Sequence, residues 1–202
     1  MLGSPALLKA MARLNSSARE HVRMAKNSWR LYDAIASADD TRWVVDASKN
    51  AIRMKVLYLT SPERFKVVHL VRDGRAVAAS ACRRRRISVA KAARNWRNSA
   101  RAVLLMLKTV PASRQCLLHY EDLCDDPAGQ LQKLCHFLGL PFEHQLESLR
   151  FRIPHGVPGN RMALDRPTRI VKDEHWKTEM SEDDLQTFER VAGRLNRALG
   201  YD

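Results

Sequence analysis

Long apolar runs, paired cysteines and acidic residues are all scarce in this chain of 202 residues. No apolar stretch approaches the roughly 18 residues of a transmembrane span, and the amino terminus lacks the hydrophobic region of a signal peptide. A cytoplasmic protein is therefore the default expectation, although a Golgi-luminal catalytic fragment cut from its anchor would have the same composition. Cys82, Cys116, Cys124 and Cys135 form no CxxC pair, and no Cys/His cluster has zinc-finger spacing. They read as reduced, partly buried thiols, and no metal is expected. The GxxxxGK[ST] loop is missing, which disfavours a P-loop kinase relative. No internal repeat is visible.

Carboxylates are outnumbered, 22 against 35 basic residues, for a formal charge of +13. Such a field attracts anions: nucleic acid, acidic membrane surface, or phosphorylated and sulfated small molecules. Arginine exceeds lysine by 25 to 10, which suits oxyanions because the planar guanidinium grips two oxygens at once. A hydrophobic content of 45% argues against disorder, and the length suits one α/β domain over residues 1–202.

Residues 5–37 have no interior Gly or Pro and carry apolar residues at roughly helical spacing, predicting one long helix or two. Arg42–Asp46 reads as a strand, followed by a helix from Ser48 to Ser61-Pro62. A strand at Phe65–Val71, a helix from Asp73, a longer helix from about Ser88 to Leu107 and a strand at Gln115–His119 come next. Helix 128–138 stops at Gly139 with Pro141 beyond, and Ser181 with Asp184 opens a last helix to Leu199. Alternating strands and helices imply a parallel sheet flanked by helices.

The most informative stretch is Val67–Ser80, VVHLVRDGRAVAAS. An apolar strand rises to Arg72, Asp73-Gly74 breaks it, and a helix then carries Ser80 two turns on. In open α/β sheets ligands bind at such carboxyl ends, where a helix amino terminus adds unpaired N–H groups. Arg72 offers a fork for two phosphate oxygens and Ser80 a hydroxyl for a third.

With His119-Tyr120-Glu121-Asp122-Leu123, Pro127 and Phe137-Leu138-Gly139-Leu140 placed behind it, this stretch resembles the sulfotransferases that use 3′-phosphoadenosine 5′-phosphosulfate, in their bacterial and carbohydrate-type forms. The resemblance implies that Arg72 and Ser80 bind the 3′-phosphate of the nucleotide and that Tyr120 faces it. The family usually has Asp-Pro or Asn-Pro after the arginine, where this chain has Asp73-Gly74. Val44-Val45-Asp46-Ala47-Ser48-Lys49 is similar to the family segment that faces the transferring sulfuryl group, making Lys49 the implied catalytic cation. His155-Gly156-Val157-Pro158-Gly159-Asn160-Arg161 resembles a bacterial loop closing over the nucleotide, with Arg161 as a second cation, and Asp173-Glu174-His175-Trp176 resembles the motif after it. The implied reaction is sulfuryl transfer to a carbohydrate or small-molecule hydroxyl, without a metal.

One family element is missing from the sequence: the Arg-Ser-Gly-Thr-Thr loop that holds the 5′-phosphosulfate. Gly3-Ser4-Pro5 is followed by Ala6-Leu7-Leu8 instead. The expected fold class is thus α/β, a P-loop-like parallel sheet flanked by helices but incomplete, lacking its first strand and loop. The chain would represent the carboxyl-terminal two-thirds of the family domain, possessing an exposed sheet edge open to oligomerisation and poor or no turnover. The alternative from another class is a basic module for nucleic acid or another polyanion, built on Arg83-Arg84-Arg85-Arg86 with Lys91, Arg94, Arg97 and Arg101. No helix-turn-helix, zinc or RRM signature accompanies that run.

Overall fold

A computed structural model describes residues 15–143 and 171–202. Its contacts divide the chain into two units, Met1–Val67 with Ala100–Gln115 and Val68–Ser99 with Cys116–Asp202. Gly3-Ser4-Pro5 and the His155–Arg161 loop lie outside the described residues, so Arg161 has no described position.

In the first unit, α1 (Ser16–Ala38) is opened by Asn15, whose side-chain oxygen accepts from the Ser17 and Ala18 amides. Helix α2 (Ala51–Thr60) is opened in the same way by Asn50, which accepts from Arg53 N at 3.0 Å. An Asn oxygen here satisfies amides that the helix itself leaves unpaired. Ala25 of α1 packs with Val56, Leu57 and Leu59 of α2 and with Met106 and Leu107. Trp29 closes this core, edge-on to Phe65 and donating from Nε1 to Thr60 Oγ1 at 3.0 Å.

The expected strand at Arg42–Asp46 does not form. These residues carry no strand pairing, and Val45 is 85% exposed. The apolar pair Val44-Val45 suggested a strand, but a strand requires a neighbour to take its backbone groups. Asp46 instead turns the chain, accepting from Ser48 N at 2.9 Å and from Arg53 Nε at 3.1 Å, while the Tyr32 hydroxyl also donates to it.

The second unit is built around a two-stranded parallel sheet, β1 (Val67–Val71) beside β2 (Gln115–His119). Among the described residues, two strands thus stand where the sequence suggested three. Buried Val67, Val71, Cys116 and Leu118 alternate with Val68, Leu70 and Leu117, which are exposed at 41%, 54% and 45%. After β1 come α3 (Gly74–Arg85) and α4 (Val89–Leu107); after β2 come α5 (Tyr120–Asp125) and α6 (Pro127–Leu138), capped by Gly139 at φ 71°. The short α7 (Trp176–Glu179) leads into α8 (Glu182–Phe188), a π-helical turn over Glu189–Gly193, and α9 (Arg194–Ala198). Ser181 and Asp184 form the expected capping box.

The core of this unit joins Ala78, Ala79, Ala92 and Ala93 to Met180, Phe188 and Ala192. Small residues on α3 and α4 let the aromatic rings come close, and burying Phe188 contributes roughly 2–3 kcal/mol. Gly74 marks a close approach to this core: a Cβ there would lie 2.7 Å from Phe188 and 2.8 Å from Trp96. That packing gives a physical reason for glycine after Asp73.

All four cysteines are free, with Cys116 and Cys135 buried. Among the described residues no His/Cys/Asp/Glu group could hold a metal, and no helix is long and apolar enough to cross a membrane.

Candidate functional site

At the carboxyl end of β1 the chain leaves the sheet through Arg72 and enters α3 with Asp73 as its N-cap. Three of the four unpaired N–H groups expected at this helix start are already used. Asp73 N donates to Glu121 Oε1 at 3.2 Å, Gly74 N to Asn196 Oδ1 at 2.8 Å, and Arg75 N to Asp73 Oδ1 at 2.8 Å. The helix amino terminus is thus capped by protein, and the capacity to hold an anion falls on side chains.

Asp73 is 5% exposed and Asn196 3% exposed, so their pairing is a buried one. Asn196 Nδ2 donates to Asp73 Oδ1 at 3.2 Å. Arg75 grips the same carboxylate from Nε and Nη2, at 2.8 to 3.1 Å, and lies 4.5 Å over the Trp176 ring. Arg75 is therefore spent on Asp73. Tyr201 donates to Glu121 Oε2 at 2.6 Å, and burial, reinforced by that carboxylate, pushes its hydroxyl far above the usual tyrosine range, keeping it a donor.

Arg72 is the second arginine of the turn. Its guanidinium lies 4.4 Å over the Tyr120 ring, a favourable cation–π placement. Nη2 donates to the Asp173 backbone carbonyl at 2.7 Å and pairs with Asp173 Oδ2 at 3.0 Å. Nε is buried without a hydrogen-bond partner among the described residues. The Tyr120 hydroxyl receives Asp173 N at 3.1 Å and donates to Val171 O at 3.3 Å, fastening residues 171–173 beside Arg72. Burial alone raises the Asp173 carboxyl, but hydrogen bonds from His175 and Arg72 outweigh it and hold its pKa at about 2.

Ser80 is half-buried on α3, and its hydroxyl makes no hydrogen bond among the described residues; its carbonyl accepts from Arg84 Nε at 3.3 Å. It shares a helix face with Asp73 and Val77. Lys49 belongs to the first unit, exposed, in the left-handed region at φ 57°. Hydrogen bonds to Asp46 and Asn50 fix the turn on either side of it. His69 is half-buried in β1, and burial, then His119, pushes its pKa down.

A cleft of about 370 Å³ adjoins the turn, lined among others by Asp73, Arg75, Glu121, Lys172, Asp173 and Trp176. With Glu174, Lys177 and Asp202, its walls carry five carboxylates against three cations. The cleft is locally acidic in a protein of formal charge +13.

Sequence reasoning placed Arg72, Ser80 and Tyr120 in the second unit's turn region but missed Glu121, Asn196 and Asp173 as its partners. One signal was available: Phe188, Ala192 and Asn196 follow one another at four-residue spacing, so a polar amide stands on the buried face of the last helical run. The Asp173 pairing, 101 residues from Arg72, has no local signature.

The fold and the turn define an α/β protein with a cationic strand-to-helix corner beside a parallel pair of strands. The pattern of the sulfotransferase family matches residues 6–144, and the chain belongs to that family. Among solved structures it is similar to the sulfotransferase domain from the curacin biosynthetic pathway, with 23% identity, a TM-score of 0.60, and coverage of 86% of this chain and 68% of that one. It is also similar to the sulfotransferase domain of the olefin synthase from Synechococcus PCC 7002, at 28% identity and a TM-score of 0.51. There the match covers 70% of this chain and 54% of the other. No curated protein matches the chain.

Proposed function

We propose that the chain binds the 3′-phosphoadenosine moiety of 3′-phosphoadenosine 5′-phosphosulfate and serves sulfuryl transfer from it to an acceptor hydroxyl, carbohydrate or small molecule. The observation that carries this reading is Arg72: a half-buried guanidinium at the end of β1, held over Tyr120, with a buried Nε that has no partner among the described residues. A buried N–H without an acceptor is costly, and a phosphate oxygen would relieve that cost with a charge-assisted bond. Ser80, whose hydroxyl makes no hydrogen bond among the described residues, supplies a further donor on the helix that follows. The residues present therefore fit a phosphate.

In the reaction this implies, the acceptor hydroxyl attacks sulfur in line and releases its proton to solvent as the new O–S bond forms. The bond from sulfur to the bridging oxygen breaks, and that oxygen leaves with 3′-phosphoadenosine 5′-phosphate. Positioning and charge stabilisation supply the rate, as in phosphoryl transfer. Lys49 is the proposed cation for charge developing on the sulfuryl and bridging oxygens. That assignment rests on the likeness of the Val44–Lys49 segment to the family segment that faces the sulfuryl group.

Calorimetric titration of the chain with 3′-phosphoadenosine 5′-phosphate tests the reading. Arg72→Ala should weaken binding at least tenfold, about 1.4 kcal/mol, and Ser80→Ala less. Adenosine 5′-phosphate, without the 3′-phosphate, should be indifferent to both changes. Equal binding by Arg72→Ala and the unaltered chain would refute the site.

A further inference from the structure

Arg72 does not stand open to solution anions. Asp173 contributes two acceptors to its Nη2, the backbone carbonyl at 2.7 Å and carboxylate Oδ2 at 3.0 Å. The Tyr120 hydroxyl anchors the Asp173 amide at 3.1 Å, and His175 Nδ1 lies 2.7 Å from the other carboxylate oxygen. Nε, the neighbouring donor on the edge of the guanidinium, is buried and unmatched among the described residues. One donor of the fork is therefore filled by an internal anion while the next is covered without being satisfied. The adjoining cleft is acidic as well.

We propose that Asp173 is a specificity-determining residue of the Arg72 site, an internal carboxylate that an incoming phosphate must displace. This inference rests on the function proposed above. A phosphate reaching both Nε and Nη2 competes with Asp173 for Nη2, and a phosphate beside a retained Asp173 meets a like charge. Displacing residues 171–173 reduces apparent affinity by the fraction of molecules in the open arrangement. A small anion has only its contacts with Arg72 to set against that cost. A phosphate carried on adenosine brings the contacts of the remaining nucleotide as well, so the same displacement is driven by binding energy remote from the arginine. Asp173 thus excludes inorganic phosphate and sulfate, which resemble the ligand's anionic groups, while admitting the nucleotide.

Being ionised throughout the neutral range, with a pKa of about 2, Asp173 is a full anion in this contest. Asp173→Asn keeps the side-chain shape and the backbone carbonyl bond but removes the charge. Titrations of the whole chain with 3′-phosphoadenosine 5′-phosphate and, separately, with inorganic phosphate read the effect. In Asp173→Asn both ligands should bind about tenfold more tightly, because both meet the same displacement cost, and inorganic phosphate should thereby become detectable at lower concentration. Adding Arg72→Ala should erase both gains. Tyr120→Phe, which keeps the ring under Arg72 but frees the Asp173 amide, should shift both ligands in the same direction by a smaller factor, and it decides the matter if Asp173→Asn does not fold. Unchanged or weaker nucleotide binding in the Asp173 and Tyr120 variants, with Arg72→Ala still abolishing binding by the otherwise unaltered chain, overturns the proposal and leaves the site assignment standing. Gains that survive Arg72→Ala overturn the site assignment itself.

Discussion

Asn196→Ala should destabilise the protein far more than its position on a short terminal helix suggests. The amide is 3% exposed, receives Gly74 N at 2.8 Å and donates to Asp73 at 3.2 Å. Truncation leaves a buried N–H unmatched, at about 1–3 kcal/mol, and removes a hydrogen bond to a carboxylate, at about 1.5–3 kcal/mol. Asp73 keeps its Arg75 partner, so the second loss lies at the lower end, and alanine recovers about 0.6 kcal/mol of helix propensity. The balance is about 2–4 kcal/mol. Urea unfolding followed by circular dichroism should show this as a fall in midpoint of about 1–2 M for a slope near 2 kcal/mol/M. A double-mutant cycle with Asp73→Ala sharpens the test, because the two residues share a bond and their effects should be less than additive by about 1 kcal/mol. A midpoint unchanged within about 0.3 M, or strict additivity, would refute the claim that this amide secures the start of α3.

Gly74→Ala should cost about 1–3 kcal/mol by urea unfolding, since the new methyl meets Phe188 and Trp96 inside 3 Å within a close-packed core; equal or higher stability would show that the rings retreat freely. Acid titration of stability has a defined window. Asp46 and Asp173 are both held at about 2 from an ordinary 3.8, in each case by hydrogen bonds that outweigh the upward push of burial. A depressed folded pKa contributes stability above the unfolded value that is lost as pH falls through the folded one, so stability should decline between about pH 4 and pH 2. The Asp46 share is at most about 2 kcal/mol after solvent screening, and Asp46→Asn should flatten that part of the curve; an unchanged slope would contradict the Tyr32–Asp46–Arg53 arrangement.

Much of the local structure was legible in the sequence because its causes are local. The helix start near Asp73, the stop at Gly139 and the Ser181–Asp184 box have causes that act within four residues, and each stands where the pattern put it. Arg42–Asp46 failed because a strand depends on a distant edge to pair with, which apolar composition cannot reveal. The helix start after Arg72 was misread for a related reason. Its amides looked free, but Glu121 and Asn196 reach them across 48 and 122 residues.

The sequence by itself determined the family, the strand–turn–helix corner and the arginine at its end, since spacing along the chain fixes which residues a turn presents together. Only the tertiary structure decided what that arginine faces. Asp173 arrives from 101 residues away to fill one donor of Arg72, and Tyr120 anchors it there. Electrostatic partners are chosen by distance in space, and a chain of net charge +13 can still place a carboxylate against its key cation.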